Sequence, residues 1–437
     1  MNNKKTTNPW LWVPTLYFAE GIPYFIVNVI SCTMFTKMGV PNGQMALFTS
    51  LIYLPWVIKP LWSPFVDLIR TKRWWITIMQ VLMSIIFILM ALTLPQTEIA
   101  QQGGETSISI FTFTLVLFWI AAFASATHDI AADGYYMLAL DENKQSLFVG
   151  IRSTFYRLSS IFGQGVLVVI AGLLETRLGS IPFAWKYTLI IAAVLFALLT
   201  LYHVYILPRP VQDHERKNLD CSAAGITRDF SRTISTFFKK PYIISALAFM
   251  LLFRLPEALL LKMMNPFMLH PISQGGLGMD TATFGLIYGT FGVAALTIGG
   301  ILGGIAAARW GLKKCLWPMS LSLALPSCAF LILSIFHPES LWLIGGCVVL
   351  DQFGYGFGFT AYMLYLIYFS EGEFKTAHYS LCTAFMALSM MVPGLFAGYI
   401  QEALGYTGFF AVVALCCLVT VFVTFAVKVD PEFGKKK

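Results

Sequence analysis

Apolar residues occur in runs of about 20 or more, almost from end to end of the chain, with short polar punctuation between them. A run of that length crosses the hydrocarbon of a bilayer as a helix. Read with their turn residues, the runs predict spans near 10–36, 45–68, 74–95, 110–139, 147–174 and 184–207. After a polar stretch they resume near 242–268, 281–308, 314–336, 341–369, 375–400 and 405–428, a second set of six. The first run follows Lys4 and Lys5 but is too long for a secretory signal and carries Glu20 at its middle, so it is expected to remain as the first helix.

The polar punctuation sets the topology. Lys4, Lys5, Arg70, Lys72, Arg73, Arg309, Lys313, Lys314 and the tail Lys435, Lys436 and Lys437 all fall on one side, with most basic residues of the central loop. The opposite loops, such as PQTEIAQQGGETS and HPISQGGLGMD, are nearly free of Lys and Arg, Lys37 and Arg177 being the exceptions. Both termini are therefore expected to be cytoplasmic. The stretch Pro208 to Pro241 is the one long charged segment. In its second half Ile226, Phe230, Ile234, Phe237 and Phe238 recur at helical spacing between Arg228, Arg232, Lys239 and Lys240. That pattern suits an amphipathic helix on the cytoplasmic leaflet, and equally a solvated linker.

Composition narrows the class. Of 437 residues, 57% are hydrophobic and 12% charged, where a soluble domain carries about 25% charged residues, so a soluble fold is excluded. The net charge of +7 points to no nucleic-acid partner, because in a membrane protein the placement of Lys and Arg carries the information. Cys32, Cys328, Cys347, Cys416 and Cys417 sit in apolar runs without CxxC or His-linked spacing and read as small hydrophobes, with no metal site.

An internal repeat joins the two sets of spans. SPFVDLIRTKR closes the second span and GGIAAARWGLKK closes the eighth, half a chain later. In the second copy Gly304, Arg309, Gly311, Lys313 and Lys314 fit G-x-x-x-D-R-x-G-x-K/R-K/R with Ala308 in place of the acid; the first keeps the acid as Asp67, with Arg70 and Arg73 beside it, and loses the glycines. Here the chain resembles the major facilitator superfamily, whose signature turns occur at these two loops. The resemblance implies an all-α membrane protein of about twelve transmembrane helices in two six-helix bundles, residues 1–207 and 242–437, joined by a cytoplasmic linker at 208–241. It also implies a pseudo-two-fold axis along the membrane normal, with Asp67 and Ala308 in equivalent gating turns.

A charge in the hydrocarbon core costs at least ~2.5–3.5 kcal/mol, so buried charges mark function or pairing. Spans three, six, nine and twelve have no Asp, Glu, Lys or Arg in their interiors, and only His203 titrates there. Spans one, four, seven and ten carry Glu20, then Asp129 and Asp133, then Arg254 and Glu257, then Asp351. In the major facilitator fold the latter four helices line the cavity and the former four face lipid, a division these charges match. Spans four and five form a hairpin centred near Asn143, which sets Asp133 level with Arg152 and Asp129 level with Arg157 and predicts at least one buried Asp–Arg pair. Arg254 and Glu257, three apart, can satisfy each other. Glu20, beside Gly21 and Pro23, and Asp351, before QFGYGFGF, have no cation close in sequence and are the candidates to load and release a proton. Tyr17, Tyr24, Tyr53, Tyr135, Tyr136, Tyr156, Tyr355 and Tyr362 offer flat faces with a hydroxyl that suit a sugar ring or another amphipathic solute, or simply pack.

FAEGIPY, KPLWSPFVD, SATHDIAADGY and the arginines of GIRSTFYRLSS resemble the AmpG-type permeases, most closely in the first bundle. The matching residues are Gly21 and Pro23, then Lys59, Trp62, Ser63, Pro64 and Asp67, then Asp129 and Asp133, with His128 where glutamine is more usual. The resemblance implies proton-driven import of anhydromuropeptides, the fragments of cell-wall turnover, across a bacterial cytoplasmic membrane. Related families move acetyl-coenzyme A and siderophores; AmpG permeases carry additional helical segments, whereas this chain shows twelve spans, as the siderophore permeases do. The expected function is thus a proton-coupled symporter working as a monomer in the bilayer. Its expected path runs past Tyr24, Tyr53, Lys59, Asp129, Asp133, Arg152, Tyr156, Arg157, Arg254, Glu257 and Tyr355. Uptake of an iron chelate or efflux of a drug through the same fold is the alternative. No G-x-x-x-x-G-K-[ST] loop is present, and no cofactor is implied. A membrane transferase would need an interfacial catalytic cluster, for which only DENKQ and SEGEFKTAH are exposed and polar, so no enzymatic activity is expected.

Overall fold

The computed structural model describes residues 8–95, 105–140, 142–210, 213, 232, 234–372, 375–431 and 433, without the side chains at 64, 65, 67, 68, 105–111, 142, 143, 145–147, 149, 150, 153 and 375–377. The described residues are helical, with no strand among them. The helices are α1 Pro9–Lys37, α2 42–68, α3 Lys72–Thr93, α4 Glu105–Ala139, α5 142–178, α6 Ile181–Ile206, α7 Ile243–Leu269, α8 Thr281–Trp310, α9 Leu312–Phe336, α10 Leu341–Ser370, α11 375–404 and α12 406–426.

Ten stretches are long and apolar enough to cross a membrane, the last of them continuous from His378 to Ala426. Gly405 divides that stretch into α11 and α12, its φ of 70° and ψ of 176° being open to glycine and closed to a helix. Adding α10, whose apolar character is diluted by Asp351, Gln352 and Gly354, Gly356 and Gly358, brings the described helices to the twelve that the apolar runs predict. The protein is a multi-pass membrane protein.

The chain forms two compact units. The first comprises the described residues of Met1–Val40, Leu61–Asn218 and Thr281–Gly289; the second comprises those of Pro41–Pro60, Leu219–Asp280 and Thr290–Lys437. In the first unit α3 packs against α4 and α6, α1 against α4 and α5, and the opening turns of α8 against the end of α5. Its core includes Trp12, Tyr17, Ile76, Tyr135, Tyr136 and Phe148. In the second unit α10 packs against α8 and α9, and α11 holds both α7 and the first part of α2. Its core includes Phe237, Phe249, Phe253, Met319, Tyr362 and Tyr365.

Several helices turn apolar side chains outward at helical spacing. On α3 these are Val81, Ile85, Ile88 and Leu92; on α6, Ile191, Val194, Leu198, Leu201 and Tyr205; on α12, Leu415, Leu418, Phe422 and Phe425; and α9 exposes Ile332, Ile335 and Phe336. Large apolar surfaces of this kind suit contact with lipid, and α4, which carries Asp129 and Asp133 further along, exposes Phe113, Val116, Ile120 and Phe123 in the same way.

Within the linker's second half Phe237 departs from both expected courses, while Phe238 is exposed. Phe237 is fully buried against Phe369, His378 and Phe385 in the core of the second unit, and the Lys240 ammonium donates to the Phe369 and Glu371 carbonyls, closing the end of α10. An aromatic ring that finds a preformed apolar gap between helices leaves water and headgroups alike. Ile226, Phe230 and Arg228 lie outside the described residues.

Candidate functional site

In the first unit three helices bring their polar faces together. Tyr17, Glu20 and Tyr24 follow at steps of three and four on α1, and Asp129, Asp133 and Tyr136 do the same on α4, which is the spacing of one helix face. Arg152 and Tyr156 meet them from α5. The close approach of α1 to α5 rests on Gly21, where a Cβ would collide with the Ser159 side chain. Just beyond the site both helices widen into π-helical turns, Ile26–Ile30 in α1 and Ile161–Leu167 in α5, a distortion common at functional sites.

Arg152 Nη2 lies 2.8 Å from Asp133 Oδ1, the same oxygen that accepts a 3.1 Å hydrogen bond from the Tyr17 hydroxyl. The guanidinium also stacks 4.5 Å above the Tyr17 ring and 5.2 Å from that of Tyr136, so one cation is held by a carboxylate and two aromatic faces. Glu20 is buried and does not stand alone. Its side chain is hydrogen-bonded to Asp129, while its Oε2 has no partner. A hydrogen bond between two carboxyl groups forms only when one of them carries a proton. Tyr156 packs on Phe25 and Tyr24 at 5.6 and 6.4 Å.

Arg157 does not share this face. Five residues from Arg152 it is turned by about 140° around α5, whereas Asp129 and Asp133 differ by about 40°. Its Nη1 is buried without a hydrogen-bond partner. Equal distance from a hairpin turn sets height along the helices but not the direction a side chain faces.

The second unit holds its own polar groups. Arg254 is 5% exposed, donates from Nη2 to the Tyr355 hydroxyl at 2.5 Å and lies 4.7 Å from the Phe359 ring. It does not satisfy Glu257, whose two oxygens are both without a hydrogen bond. The backbone supplies the reason: α7 breaks at Phe253 and Arg254 and restarts at Leu255 with Pro256 in its first turn, so the two residues no longer share one helix face. Asp351 accepts from Ser327 at 3.3 Å and Gln352 at 3.4 Å, partners that lie outside its own apolar periodicity. Lys262, buried on α7, donates to Thr49 at 3.0 Å and sits 5.3 Å from the Tyr53 ring. Sequence reading overlooked Lys262, although a cation inside ALLLKMMNPF is itself the signal. Lys59 on α2 is half-buried.

The two turns expected to act in gating differ in structure. Arg73 donates from Nε to the Leu207 carbonyl at 3.1 Å and from Nη2 to that of Val204, clamping the end of α6, and Asp213 accepts from the Lys72 and Arg73 amides at 2.6 and 3.1 Å, closing the start of α3. Arg70 is exposed with a left-handed φ of 61°. Gly311 has a φ of 79° between α8 and α9, Gly304 faces open space, and Arg309 is exposed beside Trp310. The Asp67 side chain lies outside the described residues.

Behind Asp129 runs a buried chain that sequence reading did not assemble. Gln80 on α3 lies 3.0 Å from His203 Nδ1 on α6 and 2.9 Å from His128 Nε2 on α4, and His203 Nε2 is 3.0 Å from the Thr15 hydroxyl on α1. His128→Ala is expected to leave this chain half satisfied and destabilise the protein by about 1–3 kcal/mol, and His128→Gln, which can still accept from Gln80, by much less. Thermal unfolding of the purified variants in detergent checks the difference; equal midpoints would reject it.

The profile of the Major Facilitator Superfamily matches residues 15–370 and 258–437 of this chain. The chain belongs to that superfamily. As a major facilitator it is a transporter of small molecules and not an enzyme. Among its relatives, a Rickettsia conorii protein whose name describes an AmpG transporter is 24% identical over 93% of this chain and 94% of its own. The anhydromuropeptide permease of Escherichia coli K12 is 24% identical over 90% of this chain and 74% of its own. The fold matches those of solved major facilitators: a D-xylose–proton symporter has a TM-score of 0.71 at 12% identity, covering 98% of this chain and 99% of its own. An inward-facing bacterial homologue of the lysosomal transporter Spinster has a TM-score of 0.69 at 13% identity, covering 97% of each chain.

Proposed function

We propose that this major facilitator imports cell-wall-derived anhydromuropeptides, or related amino-sugar fragments, by proton symport across the bacterial cytoplasmic membrane, as a monomer with both termini in the cytoplasm. The observation that supports the coupling is the pairing of Glu20 with Asp129, two carboxyl groups that can hydrogen-bond only when one of them holds a proton. Beside it, Asp133 is occupied by Arg152 and Tyr17, so the two acids of α4 divide the work. Asp133 holds the cation and Asp129 shares the proton. Support for the substrate comes from the relatives named AmpG and anhydromuropeptide permease and from the tyrosines around the first-unit site, whose flat faces suit sugar rings. The basic residues of one set of loops support the orientation.

Purified protein in liposomes, given an inward proton gradient, is expected to accumulate radiolabelled N-acetylglucosaminyl-anhydro-N-acetylmuramyl tripeptide and to lose that accumulation when a protonophore is added. Accumulation that ignores the protonophore would overturn proton coupling. Uptake of a ferric siderophore in place of the muropeptide would overturn the substrate and leave the coupling standing.

A further inference from the structure

Helix α7 carries an acid that the Glu20 and Asp129 pair leaves unexplained. Glu257 is 1% exposed, and neither of its carboxyl oxygens has a hydrogen-bond partner. Three residues earlier Arg254, also buried, has its Nη2 on the Tyr355 hydroxyl, while its Nε has no partner. An acid with two open oxygens and a cation with an open N–H thus lie one turn apart without touching. The break at Phe253 and Arg254 accounts for the separation, because it swings the guanidinium towards Tyr355 and Phe359 on α10. The other ionisable group that bears on Glu257 is Asp351 on α10, which already accepts from Ser327 and Gln352. Lys262, further along α7, is held at Thr49 and Tyr53.

A carboxylate in this position would face a second acid and a cation engaged elsewhere, with no donor to replace the water it has lost. Such a group is stable only with its proton on. Should Arg254 leave Tyr355, its open Nε–H provides what the deprotonated oxygen requires, and the broken segment is where α7 can turn, since Pro256 contributes no backbone N–H to resist it.

We propose that Glu257 is a second proton-binding site of the transporter, and that Arg254 is the cation that takes over its carboxylate when the proton leaves. The step breaks one O–H bond. The proton passes to water on the side that is open, the electron pair stays on the carboxylate, and Arg254, charged throughout, exchanges the Tyr355 hydroxyl for the ion pair. The inference deepens the proton-coupled reading and rests on it.

The test begins on the intact protein and needs no substrate. Dicyclohexylcarbodiimide reacts with protonated carboxyl groups in apolar surroundings, and peptide mass spectrometry resolves the sites. Glu257 is expected to be labelled at acidic pH, with labelling that falls by up to about tenfold per pH unit through its titration. In Arg254→Ala, where no cation can compensate the carboxylate, the labelling is expected to persist to higher pH. An unlabelled Glu257 beside a labelled Glu20, or a labelling profile that Arg254→Ala does not move, overturns the proposal. In liposomes, Glu257→Gln is expected to lower the number of protons taken up per labelled muropeptide. A loss of pH dependence in Glu20→Gln but not in Glu257→Gln rejects the second site and leaves proton coupling in place. A loss in neither rejects the coupling itself.

Discussion

Asparagine at position 129 is expected to remove most proton-driven uptake while leaving the protein folded and inserted. The substitution keeps the volume of the side chain, and its amide can still donate to Glu20, so α1 and α4 retain their contact. What disappears is the capacity of the pair to hold and give up a proton. Asp133→Asn acts differently, because Asp133 already serves Arg152 and Tyr17, and its loss frees a cation that no other described carboxylate touches. Uptake driven by an imposed proton gradient, compared with helicity and elution of the purified variants, separates the two effects. Parent-like uptake by Asp129→Asn would show that this carboxyl group is dispensable.

The largest structural effect is expected from a side chain at Gly398. On α11 this glycine lies so close to the start of α2 that a Cβ would run into the Asn42 carbonyl and the Gly43 amide. The obstacle is backbone, which cannot rotate away as a flexible side chain can. Around it Asn42 donates to Gln401 at 2.6 Å and to Tyr406 at 3.1 Å, and Glu402 accepts from the Gly43 amide at 2.7 Å, so a shift of either helix also breaks these bonds. Gly398→Val is expected to cost at least ~1–3 kcal/mol, the range for overpacking, with the added hydrogen-bond losses raising it. A lowered thermal midpoint and poor recovery from the membrane are the readouts, and a parent-like midpoint would mean that α11 and α2 have room to separate. Gly289, against the Gln164 carbonyl in the first unit, is the comparable position on α8.

Much of the architecture is legible in the amino-acid order because the bilayer acts on one helix at a time. Each crossing needs its own length of apolar chain, so the run near 74–95 corresponds to α3 at Lys72–Thr93 and the run near 341–369 to α10 at Leu341–Ser370. The same holds for the lipid-facing stripes. A helix without interior charges, such as α6 or α12, can turn an apolar face outward whatever its neighbours do. The types of residue at the candidate site are legible too, since an acid or a base within an apolar run is costly wherever the run is placed.

Partnership among those residues belongs to the tertiary structure. Helical spacing tells which side chains share a face of their own helix, but rotation against the next helix decides whom that face meets. Asp133 meets Arg152, while Glu20, with no cation near it in sequence, meets the acid Asp129. Arg254 and Glu257 do not hydrogen-bond because the backbone leaves helical geometry at Arg254, just before α7 restarts with Pro256 in its first turn, and the guanidinium goes to Tyr355 instead. Phe237 enters a core built from α10 and α11, a gap that exists only after those helices have packed. The amino-acid order by itself determined that this protein is a membrane helix bundle with acids and bases inside it, because burial in lipid is priced residue by residue. Only the packed structure decided which of those groups meet as two acids, which share an ion pair and which stand open, because that depends on distances of a few ångströms between helices that no single helix contains.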